Sequence, residues 1–200
     1  LLPGGAALRS LAGRPAAVRA VRRALRPAWV GADLSERRYL LLTLAGRSAS
    51  ALADPLVRPA RADELSLVID ASTKAAAGSG GPGGEAGEPL ALVSRYLATA
   101  DSVSRGRRLI KLDRGEVVFT AEISPAGSDL CLVNGVWMAP SHRGSGGSES
   151  AMASVVELAR RSARTVALFV DARNEPARRC YRRVGFSGAG SLLHVRLPGH

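Results

Sequence analysis

Apolar residues along this chain recur at two different periods, and the switches between them mark out its elements. Pro15 to Arg26 carries Val18, Val21 and Leu25 at i, i+3 and i+7 with arginines between, which predicts an amphipathic helix opened by proline. Arg38 to Leu44 is a short apolar run and predicts a strand, with no sheet partner evident upstream. Arg47 to Asp54 is made of small residues and reads as a linker. Val57 to Ala60 predicts a short strand. A helix should follow from Arg61 to about Ala75, its first turn made favourable by Asp63 and Glu64. Gly78 to Gly87 has no periodic apolar residues and reads as a mobile surface loop; a second helix is expected over Leu90 to Thr99.

From Arg107 the period shortens to that of strands. Leu109 to Leu112 and Glu116 to Ile123 flank the tight turn Asp113-Arg114-Gly115 and predict a hairpin. Pro125 to Asp129 turns the chain into a third antiparallel strand, Leu130 to Met138. A glycine-rich loop and a helix over Ser148 to Ala163 come next. Val166 to Val170 is continuously apolar, as expected of a strand covered on both faces. A helix over Asn174 to Val184, stopped at Gly185-Phe186, and a last strand over Leu192 to Leu197 complete an α/β order, β-α-α-β-β-β-α-β-α-β, from about Val57 onward.

The loop after Met138 has the most chemical content. A strand, a turn rich in glycine and then a helix start present free backbone N–H groups to an anion. In Pro140-Ser141-His142-Arg143-Gly144-Ser145-Gly146-Gly147-Ser148 the glycines allow close approach, and Arg143 adds a forked donor suited to phosphate oxygens. An ordinary turn built of Gly and Ser would read the same way, so the loop needs support from elsewhere. The other glycine cluster, Gly78 to Gly87, lacks the Lys-Ser/Thr of a P-loop.

Composition narrows the field. Of the 200 residues 46% are hydrophobic but only 4% aromatic, so a core must be aliphatic. No apolar run reaches the roughly 18–20 residues of a membrane span. The formal charge is +11, almost all of the positive charge arginine, with lysine only at Lys74 and Lys111. These arginines are dispersed along the chain and no aromatic-basic platform accompanies them, which argues against nucleic acid and for a local anion site such as Arg143. Cys131 and Cys180 are distant, without CxxC or His-rich spacing, so no metal site is implied; buried free thiols fit a reducing compartment, the cytoplasm. Residues 1–30 are rich in Ala and Arg and could pass for a transit peptide. The helix and strand patterns of residues 15–44 favour a truncated or mis-started product instead.

Four landmarks stand in one order over about 50 residues: Val136-x-Met138-x-Pro140, Arg143-Gly144-x-Gly146, Asn174-x-x-Ala177-x-x-x-Tyr181 and Gly185-Phe186. Together they resemble the GNAT superfamily of acyl-CoA N-acyltransferases, whose acyl-CoA signature runs Arg/Gln-x-x-Gly-x-Gly/Ala. The resemblance implies the GNAT fold, a central mixed, mostly antiparallel sheet flanked by helices. Val117-Val118-Phe119-x-Ala121-Glu122 and Asn134-Gly135-Val136-Trp137 are similar, more narrowly, to actinobacterial members with a degenerate GNAT-like unit in front. Val21-Arg22-Arg23-Ala24-Leu25 overlays Tyr181-Arg182-Arg183-Val184-Gly185. On that reading residues 1–46 are the end of such a unit, 47–55 a linker and 56–200 the acetyltransferase domain.

The resemblance further implies transfer of an acetyl group from acetyl-CoA to a primary amine of a small molecule or protein, with no metal. The donor's pyrophosphate would lie on Arg143, Gly144, Ser145, Gly146, Gly147 and Ser148. Main-chain groups of Val136, Trp137 and Met138 would meet the pantetheine and thioester carbonyl, and Asn174 the cofactor arm. Tyr181 is the implied general acid, since a phenol of pKa ~10 suits reprotonation of a thiolate. Glu122 is the leading candidate for the base; Glu116 and Asp171 are alternatives, and His142 reads as a loop residue beside the phosphates. Ser148 departs from the signature, Ser145 and Gly147 loosen the loop, and Glu149 brings negative charge next to it. These departures predict weakened acyl-CoA affinity, and they keep open a non-catalytic acyl-CoA-binding sensor or interaction module.

Overall fold

The predicted hairpin and its third strand form the frame on which the site is built. The computed structural model describes residues 10–25, 34–46, 53–79 and 89–196. Its strands are β1 (Ser10–Gly13), β2 (Ser35–Leu44), β3 (Arg58–Pro59), β4 (Arg108–Asp113), β5 (Glu116–Pro125), β6 (Leu130–Met138), β7 (Thr165–Asp171) and β8 (Ser187–Arg196). The helices are α1 (Pro15–Leu25), α2 (Leu65–Ser79), α3 (Pro89–Ser104), α4 (Gly147–Ala159) and α5 (Glu175–Val184). Two compact units result. One groups Leu1–Leu42, Phe169–Arg178 and Gly188–His200, the other Thr43–Leu168 and Arg179–Ser187. The sequence reading places its boundaries at residues 46 and 56.

In the larger unit the strands run β7-β6-β5-β4-β3. Pairing is antiparallel from β3 to β6 and parallel between β6 and β7, which makes the sheet mixed and mostly antiparallel. The β4–β5 turn places Arg114 at φ 50° and Gly115 at φ 81°, the two left-handed positions of a two-residue hairpin loop. Ala60, Val68, Ala71, Val103, Ile110 and Val117 form a buried cluster against which Trp137 packs. Helix α4 buries Ala151, Met152, Val155, Val156 and Ala159. Asp54 ties these parts together: its N–H donates to the Ser150 carbonyl at 3.2 Å, its carbonyl accepts from Ser154 at 2.8 Å, and its carboxylate accepts from Lys111 Nζ at 2.7 Å.

The smaller unit adds a strand that the amino-terminal reading does not contain: β1 pairs antiparallel with β8, Ser10 opposite Arg196 and Gly13 opposite Leu193. Val18 of α1 packs with Leu193 and Val195, so the first helix shares a core with the last strand. Strand β8 starts at Ser187, five residues before the expected Leu192, because Ser187 to Ser191 are small residues that carry no alternation.

Other boundaries moved less. Helix α2 opens with a 3-10 turn over Ala62–Glu64 and runs to Ser79, through the start of the expected loop; the rest of that loop, most of the 47–54 linker and Leu197 lie outside the described residues. Helix α3 continues to Ser104, while α4 stops at Ala159. Val166, Ala167 and Leu168 are buried as a doubly covered strand requires, but Phe169 is 43% exposed.

The turn before α2 supplies a pH-dependent contact. Arg58 donates to both oxygens of Glu64 at 2.8 and 2.6 Å, and the Arg61 N–H donates to Oε2 at 2.8 Å. The Arg58 hydrogen bond holds the Glu64 carboxyl at about 2, below its usual 4.5, despite burial that acts the other way. A lowered carboxyl contributes stability that is present above its unfolded value and lost as pH falls through its folded one. Acid denaturation followed by circular dichroism is therefore expected to steepen between pH 4.5 and about 2. Glu64→Gln should remove about 2–3 kcal/mol at neutral pH and flatten that limb; an unchanged acid limb would contradict it.

Candidate active site

Strand β6 is interrupted where the resemblance locates its cofactor contacts. Opposite β5, Glu122 faces Asn134 and Thr120 faces Trp137, so Gly135 and Val136 together stand across from Ala121. This is a β-bulge, with Gly135 at φ 56°. It lies past the residues that set the parallel register with β7, Leu130↔Thr165 to Val133↔Leu168. Val136, Trp137 and Met138 beyond it are half-buried.

A buried guanidinium braces the bulge. Arg108, its side chain 9% exposed, donates from Nη2 to Glu122 Oε2 at 2.7 Å and from Nε to Ser102 Oγ at 3.3 Å. Burial lowers the Arg108 pKa, and the charge of Glu122 opposes that shift. A Cβ at position 135 would stand 3.0 Å from Arg108 Nη1. Ser124 donates to Glu122 Oε1 at 3.1 Å and accepts from Asn134 Nδ2 at 3.4 Å. Arg108, Glu122 and Asn134 are direct cross-strand neighbours, so this network spans β4, β5 and β6. One row further along, opposite Trp137, Thr120 is 1% exposed and its hydroxyl has no partner among the described residues.

After Met138 the chain makes a 3-10 turn over Pro140–His142 and enters the glycine loop. Gly144 and Gly146 sit at φ 80° and 82°, and a Cβ at either would meet nothing within 4 Å, so conformation and not space requires glycine here. The loop's own side chains fix its outline. Arg143 Nε donates to the Met138 carbonyl at 3.0 Å, and Ser145 Oγ to the His142 carbonyl at 3.2 Å. His142 lies 3.1 Å from Asp113 Oδ2 and 3.0 Å from Ser141 Oγ.

The backbone donors of the loop divide sharply. The N–H groups of His142, Arg143 and Glu149 reach Ala139, Pro140 and Gly146 carbonyls. Those of Gly144, Ser145, Gly146, Gly147 and Ser148 have no acceptor among the described residues. Helix α4 begins at Gly147 behind them without a side-chain cap, so its positive dipole end adds to the same field.

Tyr181 is 7% exposed, its ring edge-on to Phe186 with centroids 6.0 Å apart. Burial, and then the neighbouring Cys180, push its phenol above the ordinary tyrosine range. No group among the described residues hydrogen-bonds its hydroxyl. Asn174 caps α5, its Oδ1 accepting from the Ala177 N–H at 3.2 Å. Of the other carboxylates, Asp171 pairs with Arg173 and Arg37, and Glu116 is exposed at the hairpin end. A cleft of about 360 Å³ between α2 and α3, lined by Ser72, Thr73, Tyr96 and Thr99 among others, contains none of the residues assigned to donor or chemistry. Among the described residues no helix is long and apolar enough to cross a membrane.

The profile of the acetyltransferase (GNAT) family matches residues 85–186, just over half the chain and the whole of the loop, bulge and Tyr181 region. The chain belongs to the GNAT acetyltransferase family. The GNAT fold also recurs among solved structures. A GCN5-related N-acetyltransferase from Sphaerobacter thermophilus superimposes with a TM-score of 0.68 at 20% identity, covering 96% of this chain and 60% of that one. A GNAT-family acetyltransferase from Colwellia psychrerythraea gives 0.65 at 14% identity, covering 94% and 64%. A predicted acetyltransferase from Clostridium acetobutylicum, solved with acetyl-CoA, gives 0.51 at 12% identity, covering 78% and 92%. The chain thus spans less than two thirds of the first two GNAT structures. No match is found among curated proteins.

Sequence reasoning missed Arg108, Ser124, Thr120 and Arg183, whose parts depend on pairing across strands or between helices. Glu122 is where the resemblance implies a carboxylate, yet both its oxygens already have partners.

Proposed function

We propose that this GNAT chain transfers an acetyl group from acetyl-CoA to a primary amine in the cytoplasm. The observation that carries the reading is the run of five N–H groups, Gly144 to Ser148, with no acceptor among the described residues and Arg143 at their head. Five consecutive unpaired donors at a helix start suit a pyrophosphate, and Arg143 retains its terminal nitrogens for a phosphate oxygen. The bulged segment Val136–Met138 would take the thioester carbonyl and pantetheine, and Asn174 the cofactor arm. Residues 1–46 as the end of a second, degenerate unit rest on the overlay of 21–25 on 181–185.

In the transfer, the amine nitrogen attacks the thioester carbonyl carbon and the C–S bond breaks. Tyr181 gives its proton to the departing thiolate. Burial keeps the phenol protonated across the working pH range, although the same shift makes it a weaker acid than a free tyrosine, and after transfer it recovers its proton from solvent. Glu122 takes the amine's proton through a water: its two oxygens accept from Arg108 and Ser124, and each keeps a lone pair free.

The test is thiol release from acetyl-CoA with a panel of small amines and amino-terminal peptides. Turnover with at least one acceptor, weakened by Arg143→Ala through a higher KM for acetyl-CoA, is the expected result. A second reading, acyl-CoA binding without turnover, is favoured by the Arg108–Glu122 pair, which engages the candidate base. Coenzyme A binding with every amine silent would select it. Absence of binding would refute both.

A further inference from the structure

Glu149 occupies the third position of α4, a helix that starts at Gly147 behind an N-cap, Gly146, that has no side chain to cap it. A carboxylate in the first turn stabilises such a start by opposing the dipole. The same charge stands next to five N–H donors suited to an anion, and like charges repel. Sequence alone therefore makes Glu149 a defect of the loop.

The structure supplies its counterpart. Arg183, in the last turn of α5, donates from Nη1 to Glu149 Oε1 at 2.7 Å across 34 positions of sequence. The side chains are 68% and 30% exposed, so water screens the pair and it adds little to fold stability. Its effect is on charge. The pair is close to neutral, which leaves the loop's donors and Arg143 unopposed. Cys180, one turn before Arg183, registers both partners: burial and then Glu149 raise its thiol to about 11, while Arg183 acts in the opposite sense.

We propose that Arg183 is a positioning residue for anion binding, holding the Glu149 carboxylate off the mouth of the 143–148 loop so that the loop accepts a pyrophosphate. The proposal rests on the reading of that loop as the acyl-CoA site. It explains how α4 keeps a stabilising acidic first turn beside a polyanion site. It also removes part of the expected loss of affinity, because the competing charge is already occupied.

A double-mutant cycle tests it, with coenzyme A titrated calorimetrically into the full chain. Arg183→Ala should weaken binding about fivefold at low ionic strength, and the deficit should narrow as salt is added. It should raise KM for acetyl-CoA by the same factor and leave kcat within twofold. Arg183→Lys, which keeps the charge, should bind within twofold of the natural protein, and Glu149→Gln at least as tightly as it. The decisive arm is Arg183→Ala in the Glu149→Gln background, expected within twofold of Glu149→Gln alone. A full deficit there would mean that Arg183 touches the ligand or acts by packing, and would overturn the proposal, as would an Arg183→Ala protein that binds normally. A natural protein that binds no coenzyme A would instead overturn the loop assignment itself, and is recognisable because no variant is needed to see it.

Discussion

Tyr181→Phe is expected to lower kcat about 100-fold while leaving KM for acetyl-CoA within twofold. General acid catalysis contributes roughly 10²–10⁴-fold, and loss of the hydroxyl removes the group that reprotonates the thiolate. Removing an interaction realised only as the C–S bond breaks appears in kcat and not in binding. The substitution should leave the fold intact. The hydroxyl has no hydrogen-bond partner among the described residues, so its deletion orphans nothing, and the ring keeps its edge-on contact with Phe186. Thermal denaturation should place the variant within about 0.5 kcal/mol of the parent. A kcat equal to the parent's would remove Tyr181 from the mechanism and strengthen a binding-only reading.

The second large effect is structural and lies at the bulge. Arg108→Ala should destabilise the chain by about 3 kcal/mol, because it leaves the Glu122 carboxylate without its cation. The lower end of the usual range applies, since the Glu122 side chain is 22% exposed and water can partly replace the lost partner. Gly135→Ala should cost about 2 kcal/mol, part from the left-handed φ of 56° and part from the 3.0 Å approach to Arg108 Nη1. A guanidinium end would ordinarily swing away, but here Ser102 and Glu122 restrain it. The two effects should therefore couple. In the Arg108→Ala background the space beside position 135 opens, and Gly135→Ala should fall to about 1 kcal/mol, its conformational share. Urea unfolding of the four proteins measures this directly. Strict additivity would mean that Arg108 does not brace the bulge.

How much of this was legible in the sequence depended on the kind of signal. The β4–β5–β6 meander, the glycine loop and α4 could be read because alternation, turn residues and helical spacing agree there. The family landmarks added Tyr181 and Asn174. What could not be read was pairing at a distance. Arg108 follows Arg105 and Arg107, and in a line of text the three look like one solvated charge run. In the fold Arg105 and Arg107 meet Asp101 at the surface, while Arg108 turns inward. Glu149 looked like a flaw until Arg183, 34 residues later, was placed against it. Gly135 was open to recognition, since an isolated glycine within a strand pattern is a bulge signal. Strand β1 was not: Ser10-Leu11-Ala12-Gly13 has one large apolar residue, and its pairing with β8 defines it.

The loop assignment is the claim on which the donor, the role of Arg183 and the reading of Tyr181 all depend. Its most direct test is amide chemical shifts recorded by NMR while coenzyme A is titrated into the isotope-labelled chain. The account predicts that the N–H resonances of Gly144, Ser145, Gly146, Gly147 and Ser148 move most, because these donors exchange water for phosphate oxygens. Coenzyme A that binds while those five resonances stay in place, or that fails to bind at saturating concentration, would contradict it.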